Sequence, residues 1–449
     1  MSTQKDADRL DFLVEEAIRV AQAPLPSDIA ELAAQAIADA MICAIGGTQA
    51  PEAAASRRAF PDEGAVRIWG TQESRDPVTA AFVNGITAHT LDYDDWAPGS
   101  GAHPSVAIVP ALLSASAGRE VSGEKLLAAY AAAYELQERV GLSISPSHYE
   151  VGFHTTGIVG ALGAACAASL VLGADRSQLR AAIAYAATGA SGLKSVFGSA
   201  GKPLNAGNAA STGLRAALLA ATGLAGPAAD TVFGPQGLAP THSSSVDEAS
   251  LSQAFGEPWY IRSLLFKFSS ACFGTHGAIM AAGLLKDAGV DVSRVRKVHI
   301  TVPPITRTVC TIPDPKTGQE AKFSVAFTTA AALEGPILTA SFAEPYSPSG
   351  TVRSLMDATT LTFDDSYAKT QTKVAVTLDD GIIRSAEANA GTPQWREHPR
   401  EQRDALRAKA HDLCDAQIGS EGVDRLLGAA HRLASGQSAG ILQEVIEGL

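Results

Sequence analysis

From residue 8 to about 265, apolar residues recur at three- and four-residue intervals, and Gly, Pro or Asp marks each break. That period predicts helices over 77–91, 104–117, 123–144, 155–173, 177–188, 206–223 and 246–255. Ahead of them, IAELAAQAIADAMICAI reads as a helix opened by a capping box from Asp28 to Glu31 and closed by Gly46 and Gly47. One short β-like stretch, AVRIWGT, interrupts the series. After about residue 260 the period shortens. KVHITVPP alternates Val298, Ile300 and Val302 with polar neighbours, and KVAVTLDDGIIRSAEA alternates around an Asp380-Gly381 hairpin turn. Segments 322–334 and 351–359 lie between them and read as helical, and helical periodicity returns from Glu401. The pattern predicts a mainly α chain: an all-helical bundle domain over 1–266, a smaller α+β domain over 267–399, and C-terminal helices over 400–449 that return to the bundle.

Composition narrows the function classes. Of 449 residues, 46% are hydrophobic and 18% charged, which suits a folded globule with large buried faces. The net charge of −12 argues against nucleic acid or an anionic membrane as partner, although a local lysine cluster can still bind a small anion. Cys43, Cys166, Cys272, Cys310 and Cys414 lie far apart with no CxxC, as expected of reduced thiols in a cytoplasmic protein. The N-terminal MSTQKDADRLDF has no apolar signal core. Residues 155–174 carry no charge and are long enough to span a bilayer, but Gly157, Gly160 and Gly163 recur every three residues, which suits a helix buried among helices.

The stretch HTLDYDDWAPGSGAHPS, residues 89–105, concentrates three aspartates and two histidines in a chain otherwise poor in charge. No dinucleotide fingerprint, phosphate loop, nucleophile elbow or metal-ligand spacing occurs, so no metal or organic cofactor is expected. What remains is a set of polar residues at helix edges marked by Gly and Pro: His103, His154, Lys202, Lys267 and His276. Each alone is an ordinary capping or surface residue. Together they suggest a site, because a helix N-terminus favours the neutral base form of a histidine and lysines can stabilise an enediolate. Asp92 is a candidate partner that orients a histidine, whereas Asp94 and Asp95 read as helix-terminal or salt-bridging groups.

LDYDDWAPGSGAHPS, the Phe153-His154 pair, GKPLNAGNAA and FKFSSACFGTH resemble, in this order, the motifs of the MmgE/PrpD family, over roughly residues 10–440. The resemblance implies a large all-helical domain, an α+β lid domain, a homodimer and an interdomain site for small di- or tricarboxylates. It places Asp92, His103, His154, Lys202 and Lys267 in that site, with His276 at a further matched position. Known activities in the family are 2-methylcitrate dehydration, cis-aconitate decarboxylation and iminodisuccinate epimerisation. Family decarboxylases have threonine at the position of Trp96, histidine at Cys272 and tyrosine at Phe327, and Ser270 replaces a common proline. The likeness is nearest to the members that epimerise iminodisuccinate.

The expectation is therefore a cofactor-independent epimerase of a small anionic amino-polycarboxylate. His103, His154, Asp92 and Lys202 would be catalytic, and Lys202, Lys267 and His276 would bind substrate. A lyase acting on a small tricarboxylate, by dehydration or decarboxylation, is the alternative among enzymes, and a carboxylate-binding protein is the alternative outside them.

Overall fold

The computed structural model describes residues 3–337 and 339–448 and is mainly α. The helices that matter for the site are α1 (Ser27–Gly47), α2 (Pro77–His89), α3 (Ser105–Ser116), α4 (Gly123–Ile144), α5 (Thr155–Leu172), α6 (Gly201–Ala221) and α7 (Pro399–Ala434). A four-stranded sheet is built from β1 (Val295–Val302), β2 (Thr359–Phe363), β3 (Gln371–Leu378) and β4 (Ile383–Asn389) in the order β2-β1-β3-β4. The β1–β2 pair is parallel, and the others are antiparallel. Gly381, at φ +82°, turns the β3–β4 hairpin where L side chains are strained.

Two large hydrophobic cores form, beside a small third cluster of Val66, Ile68, Ala80 and Val83. The larger gathers α1 to α6, and Leu406, Leu413, Val423, Leu426 and Leu433 of α7 join it. The smaller lies under the sheet and includes Val298, Ile300, Val374, Val376, Ala281, Leu285 and Phe327. Helix α5 sits inside the larger core. Its 18-residue apolar stretch is long enough to cross a membrane, yet 94% of it is buried by other parts of the protein. Its glycines permit that packing: a Cβ at Gly157 would overlap the Ser191 carbonyl, and one at Gly160 would press on Ala107.

Three expectations need correction. No capping box opens α1: Pro26 precedes it with no side-chain cap, the Asp28 carboxylate pairs with Arg262 (2.8 Å), and Glu31 pairs with Arg403 (2.8 Å). Residues 246–255 form turns instead of a helix. Their backbone is claimed from outside: Asp247 N–H donates to Ser143 O (2.7 Å), and the Arg139 guanidinium donates to the carbonyls of Gln253 (3.3 Å) and Ala254 (2.8 Å). Finally, AVRIWGT does not stand alone, because Val66–Arg67 pairs with Ser74–Arg75 in a small ribbon.

Candidate active site

A cavity of about 580 Å³ lies between the two cores. His103, His154 and Lys202 line it from the helical side, and Cys272, Phe273 and Thr306 from the other. Asp92 connects the remaining predicted residues to it. Its carboxylate bridges Lys202 Nζ (2.7 Å) and Lys267 Nζ (2.5 Å), and all three side chains are almost wholly buried. His276 is absent from the cavity wall; its ring stacks on Phe273 (4.8 Å between centroids) and its Nε2 donates to Ala271 O (3.2 Å).

The charged loop starts where α2 stops. Asp76 caps the helix by accepting from Val78 N–H (2.9 Å) and Thr79 N–H (3.2 Å), and His89 is its last residue. Four successive carbonyls beyond that end are then taken by side chains from the C-terminal half. Thr90 O accepts from Lys322 Nζ (3.0 Å) and Gln319 Nε2 (3.2 Å), and Leu91 O from Ser270 Oγ (2.5 Å). Asp92 O accepts from Lys267 Nζ (2.8 Å), and Tyr93 O from Lys409 Nζ (2.7 Å). The chain is held there in a conformation it would otherwise avoid, with Asp92 at φ +50°. That turn delivers the Asp92 carboxylate between the two lysines.

Asp92 therefore does not orient a histidine, contrary to the sequence expectation; Asp94 does. Asp94 Oδ1 lies 2.9 Å from His89 Nδ1, and Asp94 Oδ2 lies 2.9 Å from His103 Nδ1, which also faces Asp95 O (2.9 Å). A carbonyl and a carboxylate can only accept, so His103 carries its proton on Nδ1 and leaves Nε2 as a base. Asp95 serves the start of α3, holding Ser105 N–H (3.3 Å) and the Ser105 hydroxyl. The order Asp92, Asp94, Asp95 thus maps onto lysines, histidines and a helix end.

His154 sits at the N-cap of α5, where the close approach at Gly157 lets its N–H reach Gly192 O (3.0 Å). Asn205 Nδ2 faces both His154 Nδ1 (3.0 Å) and Leu193 O (3.4 Å). The carbonyl requires an N–H there, so His154 Nδ1 accepts and its proton resides on Nε2. One histidine on the cavity wall is a base at Nε2 and the other a donor. Phe197 packs edge-on against His154 (5.0 Å), and Lys202 Nζ lies 5.2 Å from the Phe323 ring centre.

Burial sets the charge states. It pulls His103 down to about 3 despite Asp94, and it lowers His89 and His154, so the free protein holds all three histidines neutral. Burial pushes Asp92 upward, but Lys202 and Lys267 outweigh it and hold this carboxyl well below the usual range. Burial also lowers Lys267, but Asp92 overcomes it, so that this ammonium is retained. His89, Asp92, Asp94 and His103 have donor atoms within 4.8 Å of one another and could surround a cation. Every oxygen of these two carboxylates is already committed to an ammonium or an imidazole, so a cation would have to displace them.

Sequence reasoning missed His89 and Lys322, and it read Asp94 as a helix-terminal or salt-bridging group without placing it in the site. His89 is the first letter of the charged stretch; its ring lies 4.6 Å from that of His103 and 6.0 Å from that of His154. Lys322 is buried, with burial pulling it down to about 8. Since this value lies below that of the unfolded chain, the cost of holding the charge is full below pH 8. It is relieved as pH rises from about 8 toward 10.4. Lys322→Met is expected to abolish that rise, which amounts to at most about 1.4 kcal/mol per pH unit. Thermal midpoints of both proteins at pH 7.5 and 9.5 check it, with the wild type gaining on the variant.

The sequence profile of the MmgE/PrpD N-terminal domain matches residues 13–249, and that of the C-terminal domain matches residues 269–434. The chain belongs to the MmgE/PrpD family. Among curated MmgE/PrpD-like relatives, the cis-aconitate decarboxylase of Mus musculus is 29% identical over 85% of this chain and 81% of its own length. The Homo sapiens cis-aconitate decarboxylase is 28% identical, over 85% and 82%. The Aspergillus terreus cis-aconitate decarboxylase is 26% identical, over 64% and 63%.

These relatives overturn the expected epimerase. Each carries the name of a lyase, and none bears on iminodisuccinate. One of the departures from the family decarboxylases, Phe327 in place of tyrosine, lies outside the cavity. Phe327 packs in the smaller core against Phe342 (5.7 Å) and Tyr346 (5.5 Å), off the cavity wall, so a hydroxyl missing there is not missing from the cavity. Trp96 and Cys272 do line the cavity.

Proposed function

We propose that this member of the MmgE/PrpD family is a decarboxylating lyase acting on a small unsaturated tricarboxylate of the cis-aconitate type. The observation that carries the reading is His103, with Nδ1 on the Asp94 carboxylate and a bare Nε2 in a cavity shared with Lys202. In such a reaction the bond from an allylic carbon to its carboxylate breaks and carbon dioxide leaves. The freed pair forms a new double bond, and the displaced π pair takes a proton at carbon. His103 supplies that proton once it is an imidazolium, which Asp94 stabilises as a carboxylate partner does in a catalytic triad. His154, neutral with a proton on Nε2, donates a hydrogen bond to one of the two carboxylates that remain. Lys202 stabilises the negative charge of the substrate and Phe197 keeps water from it, whereas Lys267, expected from the sequence to bind substrate, lies off the cavity wall and holds Asp92 in place behind Lys202.

A neutral His103 has to gain its proton when substrate arrives. An anion beside the ring raises its pKa, so binding is linked to proton uptake at neutral pH. Calorimetry of tricarballylate, a saturated and unreactive analogue, in buffers of different ionisation enthalpy at pH 7 should show uptake of about one proton per ligand. The His103→Gln variant should show none. The activity itself is tested by following carbon dioxide release from cis-aconitate, citrate, 2-methylcitrate and iminodisuccinate. Release from the unsaturated acid alone is expected; release from none of them would sink the reading.

A further inference from the structure

The cavity is larger and less polar on one side than a six-carbon acid requires. Its volume of about 580 Å³ is on the scale of pockets for drug-sized ligands, roughly 300–1,000 Å³. One side carries His103, His154 and Lys202. Another is a preformed stack of flat rings: Trp96 on Phe273 (4.3 Å between centroids, 17° between planes), and Phe273 on His276 (4.8 Å, 6°). The main chain under Trp96 and the ring of His276 are both pinned. Trp96 N–H donates to Leu265 O (2.9 Å) and Leu265 N–H to Trp96 O (3.0 Å), two residues before Lys267, and His276 is tied to Ala271 O. Trp96 is only half-buried although it lines the cavity, and Pro98, Ile305 and Val309 add apolar surface to the same space. A rigid aromatic face left partly open to solvent gains free energy only when an apolar group covers it.

We infer that the substrate is a polycarboxylate bearing an alkyl or aryl substituent, with its carboxylates toward Lys202 and its apolar arm laid on the outer face of Trp96, which Phe273 and His276 back. The inference rests on the proposed reading of the cavity as a carboxylic-acid site. The ring stack makes Trp96 the residue that sets specificity. His276, matched to a substrate-binding position by sequence, acts as the backing of that wall.

The test separates binding from chemistry. Tricarballylate and derivatives carrying ethyl, butyl or phenyl groups on a terminal carbon are titrated into the wild type, Trp96→Ala and Ile305→Asn by calorimetry. Ile305 is 36% exposed, so a polar residue there is compatible with folding. In the wild type each buried methylene should tighten binding about fourfold, and the increment should shrink in both variants. Substituted acids that bind no better than tricarballylate, or a full increment that persists in both variants, would overturn the inference. The corresponding unsaturated acids are then assayed for carbon dioxide. The chain-length trend without any release would support the apolar arm and sink the decarboxylase reading; release without the trend would do the reverse.

Discussion

Replacing His103 with glutamine is expected to lower kcat by about 10²–10⁴, the usual worth of a positioned acid or base. The amide can still fill the space and donate toward Asp94 Oδ2, so the fold and tricarballylate affinity should change little. The loss falls on kcat because the amide cannot carry a proton to carbon. Asp94→Asn should lose a comparable factor for a different reason. An asparagine can turn an N–H toward either ring, and the tautomer that leaves His103 Nε2 bare is no longer enforced. The two variants differ in pH response: His103→Gln should have a flat residual rate, whereas Asp94→Asn keeps a titrating histidine. Steady-state carbon dioxide release between pH 5.5 and 8.5 checks both. Near-normal turnover in His103→Gln would remove this residue from the chemistry.

The second large effect is on stability. Asp92→Asn leaves Lys202 and Lys267 in the interior without the carboxylate that bridges them. Breaking a buried ion pair by removing one partner costs about 3–5 kcal/mol, because the orphaned charge stays buried. Here one change takes the bridging carboxylate from two cations. The loss should ease as pH rises, since a lysine that lacks its carboxylate and is desolvated gives up its proton more readily. Thermal unfolding of the wild type and Asp92→Asn at pH 7 and pH 9.5 measures it, and equal midpoints at pH 7 would show that the lysines are solvated. Asp92→Glu is expected to recover only part of the loss, because the longer side chain cannot keep two Nζ contacts from a backbone held at φ +50°.

Much of the fold was legible because period alone dictates it. The uncharged α5, the alternating β1 and the Asp380-Gly381 hairpin all follow from spacing and turn chemistry. The miss at 246–255 has a specific cause. The segment has helical spacing, but Arg139, more than a hundred positions earlier, takes two of its carbonyls, and no local pattern reveals that. The site divides in the same way. His103 and His154 were visible because each opens an apolar helix beside a glycine-rich turn. Which aspartate meets which partner was not visible: Asp92, Asp94 and Asp95 are equivalent as letters, and the left-handed turn at Asp92 comes from carbonyls held by Lys322, Ser270, Lys267 and Lys409. Lys322 was hidden in a stretch read as helical from 322; it lies just ahead of the helix Val325–Glu334 and reaches back to Thr90.

The decarboxylase reading, with His103 as proton donor, meets its most direct test in the fate of solvent hydrogen. Purified protein is incubated with cis-aconitate in deuterium oxide, and proton and carbon NMR are followed together with evolved carbon dioxide. One carbon dioxide released and one deuteron fixed at carbon per turnover, both lost together in His103→Gln, is the predicted result. Deuterium entering beside a carboxylate while all six carbons of the acid remain would contradict the account.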